Sequence, residues 1–247
     1  MTFLDLTLVS FVAWFLSTLA GGGSPFVLIP LINWMLGAAA VPPVITVGML
    51  LGNAQRVFLF WKDIDWQVTL WYLPGAILGA VLGSYAFVQL QLNWLQLAIG
   101  LFLVLSVFTY GFGSKERSFR VRLWQFLPVG FLYAFVSGLI GSTGPVMNPF
   151  YLNYGLVKEQ MIATKSLNVL VIHFAKLVAY ASFGVLTTEH LQYGLVIGLG
   201  AIPANLLGQV VLRRMNDRLF RQLVIAMMTL SGAWMLVEQR DVLGIGL

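Results

Sequence analysis

Residues 161–183 form one apolar stretch that nevertheless carries Thr164, Lys165, Ser166, Asn168, His173 and Lys176. At about 100° of rotation per residue, Lys165 and Lys176 point within about 20° of one another, and Asn168 lies about 60° away. Ammonium, hydroxyl and amide donors sharing a face suit the binding of an anion. A cation at the centre of a membrane helix costs roughly 2.5–3.5 kcal/mol on insertion scales, so it needs a cavity, a partner or a route to the interface. Lys165 lies near a segment end, where a lysine can snorkel along its stem. Lys176 is deeper and is expected to face an aqueous cavity. His173 is the one interior group that titrates near neutral pH, which makes it the proton-shuttle candidate; the alternative is a packed, hydrogen-bonded histidine. The corresponding stretch 44–62 carries Thr46, Asn53, Gln55 and Arg56, with Arg56 placed as a site residue or as an anchor near the cytoplasmic end.

Two glycine-rich interruptions precede these stretches. One runs Ser17-Thr18-Leu19-Ala20-Gly21-Gly22-Gly23-Ser24-Pro25, the other Ser137-Gly138-Leu139-Ile140-Gly141-Ser142-Thr143-Gly144-Pro145. Ser17, Leu19, Gly21 and Pro25 recur 120 positions later as Ser137, Leu139, Gly141 and Pro145. Ser24-Pro25 and Gly144-Pro145 read as helix starts, with Ser or Gly at the N-cap and Pro in the first turn. The glycines permit positive φ and leave N–H groups unobstructed, and a helix N-terminus favours an anion. Broken helices at matching places in two halves point to a transporter's binding site; tight hairpin turns are the plainer alternative. Candidate substrate contacts are therefore Gly22, Gly23, Ser24, Thr46 and Asn53 in the first half. In the second half they are Ser142, Thr143, Gly144, Thr164, Lys165, Ser166, Asn168 and Lys176.

Composition sets the solvent. Hydrophobic residues make up 59% and charged residues 9%, and the mean hydropathy of +0.88 belongs to a chain embedded in lipid. The acidic residues all map to segment ends or loops, which argues against a cation pump with a buried carboxylate. The chain has no cysteine, so disulfides, thiolate metal sites and cysteine catalysis are excluded. No GxxxxGK[ST] motif occurs, and no stretch is long enough for a nucleotide-binding module, so transport must draw on ion or substrate gradients. No cofactor, catalytic residue or metal ligand set is expected. The net charge of +5 is assigned to cytoplasmic loops and not to nucleic-acid binding. The first apolar run lacks a basic leader and cleavage site and is read as retained.

Hydropathy places helical segments at 4–20, 26–40, 44–62, 67–88, 92–112, 124–141, 146–157, 161–183, 191–212 and 219–237. The expected fold is an all-α polytopic membrane protein of two inverted repeats, each a broken or re-entrant helical hairpin plus three transmembrane helices. The repeats span 1–112 and 123–247 and are joined by a basic cytoplasmic linker at 113–122. A second internal match supports the duplication: Gly75-Ala76-Ile77, Leu82 and Gly83 parallel Gly200-Ala201-Ile202, Leu207 and Gly208. These small residues at four-residue spacing are read as helix-packing faces. A hairpin contributes an even number of crossings, so three further helices invert the second half. Lys62, the linker and Arg213, Arg214, Arg218 and Arg221 then fall on one side, assigned as cytoplasmic.

The run Gly21-Gly22-Gly23-Ser24-Pro25-Phe26-Val27-Leu28-Ile29-Pro30-Leu31, followed by a polar helix ending near Lys62-Asp63-Ile64-Asp65-Trp66, resembles the TauE/SafE sulfite exporter family. The likeness extends through Gly141–Pro149 and Ala163-Thr164-Lys165-Ser166, although Ser142-Thr143 interrupts a second glycine run that is often richer in that family. The resemblance implies export of small sulfur-containing anions such as sulfite or organosulfonates; composition and spacing alone reach only a small anion. The implied partners are that anion and the lipid bilayer of a bacterial inner membrane, with no nucleic acid. A homodimer is one oligomeric state left open. The competing readings are a passive anion channel and an intramembrane serine protease. The latter rests on Gly141-Ser142-Thr143-Gly144, whose serine is displaced by one position from a GxSG nucleophile motif and which lacks a positioned base. A topology reporter inserted in 113–122 is expected to read cytoplasmic and one at the C-terminus periplasmic; both on one side would overturn the inverted arrangement.

Overall fold

The structure is a computed structural model that describes residues 2–89 and 119–238. The expected helix at 92–112, the linker residues 113–118 and the last residues of the second repeat lie outside the described residues. Every regular element among the described residues is helical. In chain order these are α1 (Phe3–Leu19), α2 (Ser24–Leu36), α3 (Val41–Leu59), α4 (Trp66–Gln89), α5 (Phe126–Ile140), α6 (Asn148–Tyr154), α7 (Lys158–Ser182), α8 (Thr188–Arg214) and α9 (Asp217–Glu238). Four stretches among them are long and apolar enough to cross a membrane: Trp66–Val88, Leu123–Ile140, Lys158–Ser182 and Thr188–Arg214. Two shorter apolar helices, Phe3–Leu19 and Ser24–Leu36, flank the first glycine run.

The glycines decide where helices stop. Gly21, Gly22 and Gly23 take φ values of 67, 131 and 121° in succession, a run that side chains with a Cβ resist. It ends α1 and lets α2 start afresh at Ser24-Pro25. At the second break the positive φ belongs to Gly141, at 93°. Gly144, expected to adopt the same geometry at the start of a second helix, instead opens a 3₁₀ turn, Gly144–Met147. The single segment expected at 146–157 is therefore that turn followed by α6, a helix of seven residues. Pro149 accounts for the division: it has no N–H to donate to an α-helix continuing from Pro145, yet it fits the first turn of a new one.

Packing follows the small residues. Gly75, Gly79 and Gly83 on α4 press against the backbone of Leu127, Phe131 and Phe135 on α5. Gly200 and Gly208 on α8 meet Thr7, Ser10 and Thr18 on α1. Such stripes bring helix backbones close enough for dense van der Waals contact, which replaces the hydrophobic drive that lipid does not supply. α8 also packs on α3, and α7 lies against both α3 and α4. The opposite faces are apolar and exposed, with Leu70, Leu78 and Leu82 on α4 and Leu195, Leu199 and Leu206 on α8, as lipid-facing surface should be. Because a Cβ at Gly79 would collide with the Phe131 carbonyl, Gly79→Leu is expected to destabilise the fold by about 1–3 kcal/mol. Thermal unfolding in detergent checks this, with Leu78→Val on the exposed face of the same helix as the unaffected comparison.

Candidate functional site

The two breaks meet around one cavity. Its walls are Ser17, Gly21, Gly23, Ser24 and Pro25 from the first break, Met49, Asn53 and Arg56 from α3, Tyr133 from α5, Ser142 from the second break, and Ile162, Lys165, Ser166 and Val169 from α7. Its volume is about 20 Å³, room for roughly one water-sized sphere. Among the described residues, two basic side chains and no carboxylate line it. α2 enters this wall with Gly23 at its N-cap and no side chain bonded to its first N–H groups, so the positive end of its dipole adds to the charge of the site.

Arg56 is 4% exposed and tightly held. Nε donates to Asn205 Oδ1 at 2.8 Å, and one terminal nitrogen donates to Thr18 Oγ1 at 2.7 Å and Trp14 O at 3.1 Å. The guanidinium also lies 4.6 Å from the centre of the Trp14 ring, a cation–π contact. α1 and α8 thus cover a residue that the sequence places near a helix end. Lys165 is also buried: Nζ donates to Gly21 O and to Asn148 Oδ1, both at 2.7 Å. The route to the interface expected for Lys165 is closed, because the chain turn before α4 seals that end of α7. There Asp65 N donates to Thr164 Oγ1 at 2.9 Å.

Lys176 occupies the other arrangement. It is wholly buried and stands outside the cavity wall, with Nζ donating to Ser137 O at 2.9 Å, Ser137 Oγ at 3.3 Å and Gly141 O. The cavity expected around Lys176 is instead around Lys165, because the broken end of α5 supplies Lys176 with backbone carbonyls of its own. The polar end of a helix is a natural seat for an ammonium.

Of the other sequence candidates, Gly23, Ser24, Asn53, Ser142 and Ser166 line the cavity. Gly22 adjoins it, with its open side turned to Lys165 Nζ. Thr46, Thr143, Thr164, Asn168 and His173 are not among the described lining residues. Asn168 Nδ2 donates to the Tyr151 hydroxyl at 3.0 Å, and His173 is buried in α7. Ser17, Asn148 and Tyr133 were missed as site residues, and Arg56, left between site residue and helix-end anchor, lines the cavity. For Arg56 and Ser17 a signal was available: they stand 120 positions before Lys176 and Ser137, the offset at which the breaks repeat.

Residues 6–235 match the protein family described as Sulfite exporter TauE/SafE. No curated protein and no solved structure matches the chain. A Cβ at Gly22 would stand 2.5 Å from Lys165 Nζ, so Gly22→Ala is expected to push the ammonium aside and weaken binding of a small inorganic anion by about tenfold. Gly37→Ala is the control for backbone strain: Gly37 also has a positive φ, 84°, but open space around it. Titration of both purified variants, with thermal stability measured alongside, separates loss of the site from loss of the fold.

Proposed function

The chain belongs to the TauE/SafE sulfite exporter family, and from that premise we propose a secondary carrier that exports sulfite or a related small sulfur-containing anion. The anion passes through the cavity between the two breaks. The observation that carries this reading is the pairing of Arg56 and Lys165 on a buried wall with no carboxylate among its described lining residues. Burying an ion costs several kcal/mol even after relaxation, and two like charges sharing a wall compound that cost. An anion between them removes the repulsion and supplies the opposite charge. A guanidinium fork matches a planar or trigonal oxyanion in a way a point charge does not. The hydroxyls of Ser17, Ser24, Ser142 and Ser166 and the amide of Asn53 supply neutral donors around it.

The narrowness of the cavity favours a carrier over a channel. Space for about one water-sized sphere does not admit an oxyanion unless the walls part, so each passage requires a conformational step. Two inverted repeats would provide it, one rocking against the other. Their support is twofold: the break and the small-residue stripe both recur in sequence, and the helix pairings correspond. α4 packs on α5, the first helix of the other half, and α8 packs likewise on α1.

Sulfite efflux from liposomes tests the reading. The purified protein is expected to saturate and to show counterflow, whereas linear flux without trans-stimulation would make it a channel. Lys165→Met should lower apparent sulfite affinity by about tenfold or more, the scale of a lost hydrogen bond to a charged group. Wild-type affinity in well-folded Lys165→Met would remove the cavity from the path.

A further inference from the structure

The cavity has a counterpart in the other half of the chain. Its lining residues Ser17, Gly21, Asn53 and Arg56 stand 120 positions before Ser137, Gly141, His173 and Lys176. The counterparts also gather in one place. Lys176 Nζ bonds both Ser137 and the Gly141 carbonyl. His173 lies three residues earlier on α7, on the same helix face. Its ring is 1% exposed, and its Nδ1 has no hydrogen-bond partner among the described residues. An orphaned ring nitrogen at such depth is costly for a residue serving only to pack.

The two clusters differ in what closes them. The Gly21 carbonyl accepts the ammonium of Lys165, which reaches across from the second half and leaves Ser17, Asn53 and Arg56 around open space. The Gly141 carbonyl accepts Lys176 from its own half, and the same ammonium also bonds Ser137 and is wholly buried. Equivalent backbone groups thus hold lysines of different origin, one set open and the other shut.

We propose that Ser137, His173 and Lys176 form a second half-site for a small oxyanion, closed in this conformation, which opens as the first-half cavity closes. When two inverted halves exchange conformations, a site open to one side of the membrane becomes a site open to the other. In that exchanged state Lys176 leaves the Gly141 carbonyl for the anion, as Arg56 and Lys165 meet it when the walls of the first-half cavity part. The inference rests on the cavity being the anion's path. It adds that the second half supplies the matching site.

The absence of cysteine from the chain makes the test direct. Single variants Ser17→Cys and Ser137→Cys, in oriented vesicles, are treated with a membrane-impermeant thiol reagent from either side. Ser17→Cys is expected to react from one side and Ser137→Cys from the opposite side. Asn53→Cys and His173→Cys form a second pair with the same expectation, should Ser137→Cys not fold. Reaction of both members from the same side, or of the second-half cysteines from neither, overturns the proposal. In parallel, Lys176→Met should lose about tenfold in sulfite counterflow per folded protein, and Lys176→Arg should restore most of it. Normal counterflow in Lys176→Met also overturns the half-site. Opposite-side labelling in a protein that moves no sulfite would support the exchange and overturn only the cargo assigned above.

Discussion

A helix that breaks inside an apolar protein leaves carbonyl groups that no water can satisfy. This constraint governs the whole arrangement, because α7 answers it at both breaks. Lys165 takes the Gly21 carbonyl, Lys176 takes those of Ser137 and Gly141, and the Tyr180 hydroxyl donates to Gly138 O at 2.7 Å. The buried cations of α7 and the interruptions in its neighbours account for one another. Removing the glycine breaks would strand the ammonium groups; removing the ammonium groups would strand the carbonyls.

Carbonyl and amide oxygens satisfy a lysine's hydrogen bonds without cancelling its charge, and that difference leaves room for function. A hydrogen bond between a neutral acceptor and a charged donor contributes about 1.5–3 kcal/mol. A full negative charge at about 4 Å contributes about 4 kcal/mol at an effective dielectric constant near 20. An anion entering the cavity would therefore compete with the carbonyls for the ammonium, and the carbonyls would take it back when the anion leaves. In the carrier proposed above, that balance would allow reversible binding, which a permanent ion pair would defeat. Arg56, locked by Asn205, Thr18 and Trp14, gives the site a fixed charge beside the exchangeable one.

Much of this could be read from residues alone. Hydropathy and the small-residue stripes located the described helices because lipid enforces apolar length and close packing with few alternatives. The first break was legible because three consecutive glycines disfavour a continuing helix and accept the positive φ that a sharp turn requires. The second was legible only in part: Gly144 has the neighbours of a helix start, but Gly141 takes the positive φ and Pro149 splits the next segment into a 3₁₀ turn and a short helix. The two lysines were placed by depth along their helix, and depth along an axis does not reveal what covers a helix end. Thr164 bonded to Asp65 N seals Lys165 away from the interface, and α8 does the same for Arg56 through Asn205. Those coverings come from elements distant in sequence, and no local pattern encodes them.

The seam between α1 and α8 also governs how the molecule is made. Ser10 Oγ donates to the Ile197 carbonyl across 187 positions of sequence, and Gly200 and Gly208 of α8 fit closely against Thr7, Ser10 and Thr18 of α1. At about 5–20 residues per second, α1 waits roughly 10–40 s after its own synthesis before that partner emerges from the ribosome. During the wait its narrow polar stripe, including Ser10, Ser17 and Thr18, lies against lipid or against whatever the insertion machinery offers. A late span thus completes the first helix of the chain, and the membrane must shelter an unfinished half until then.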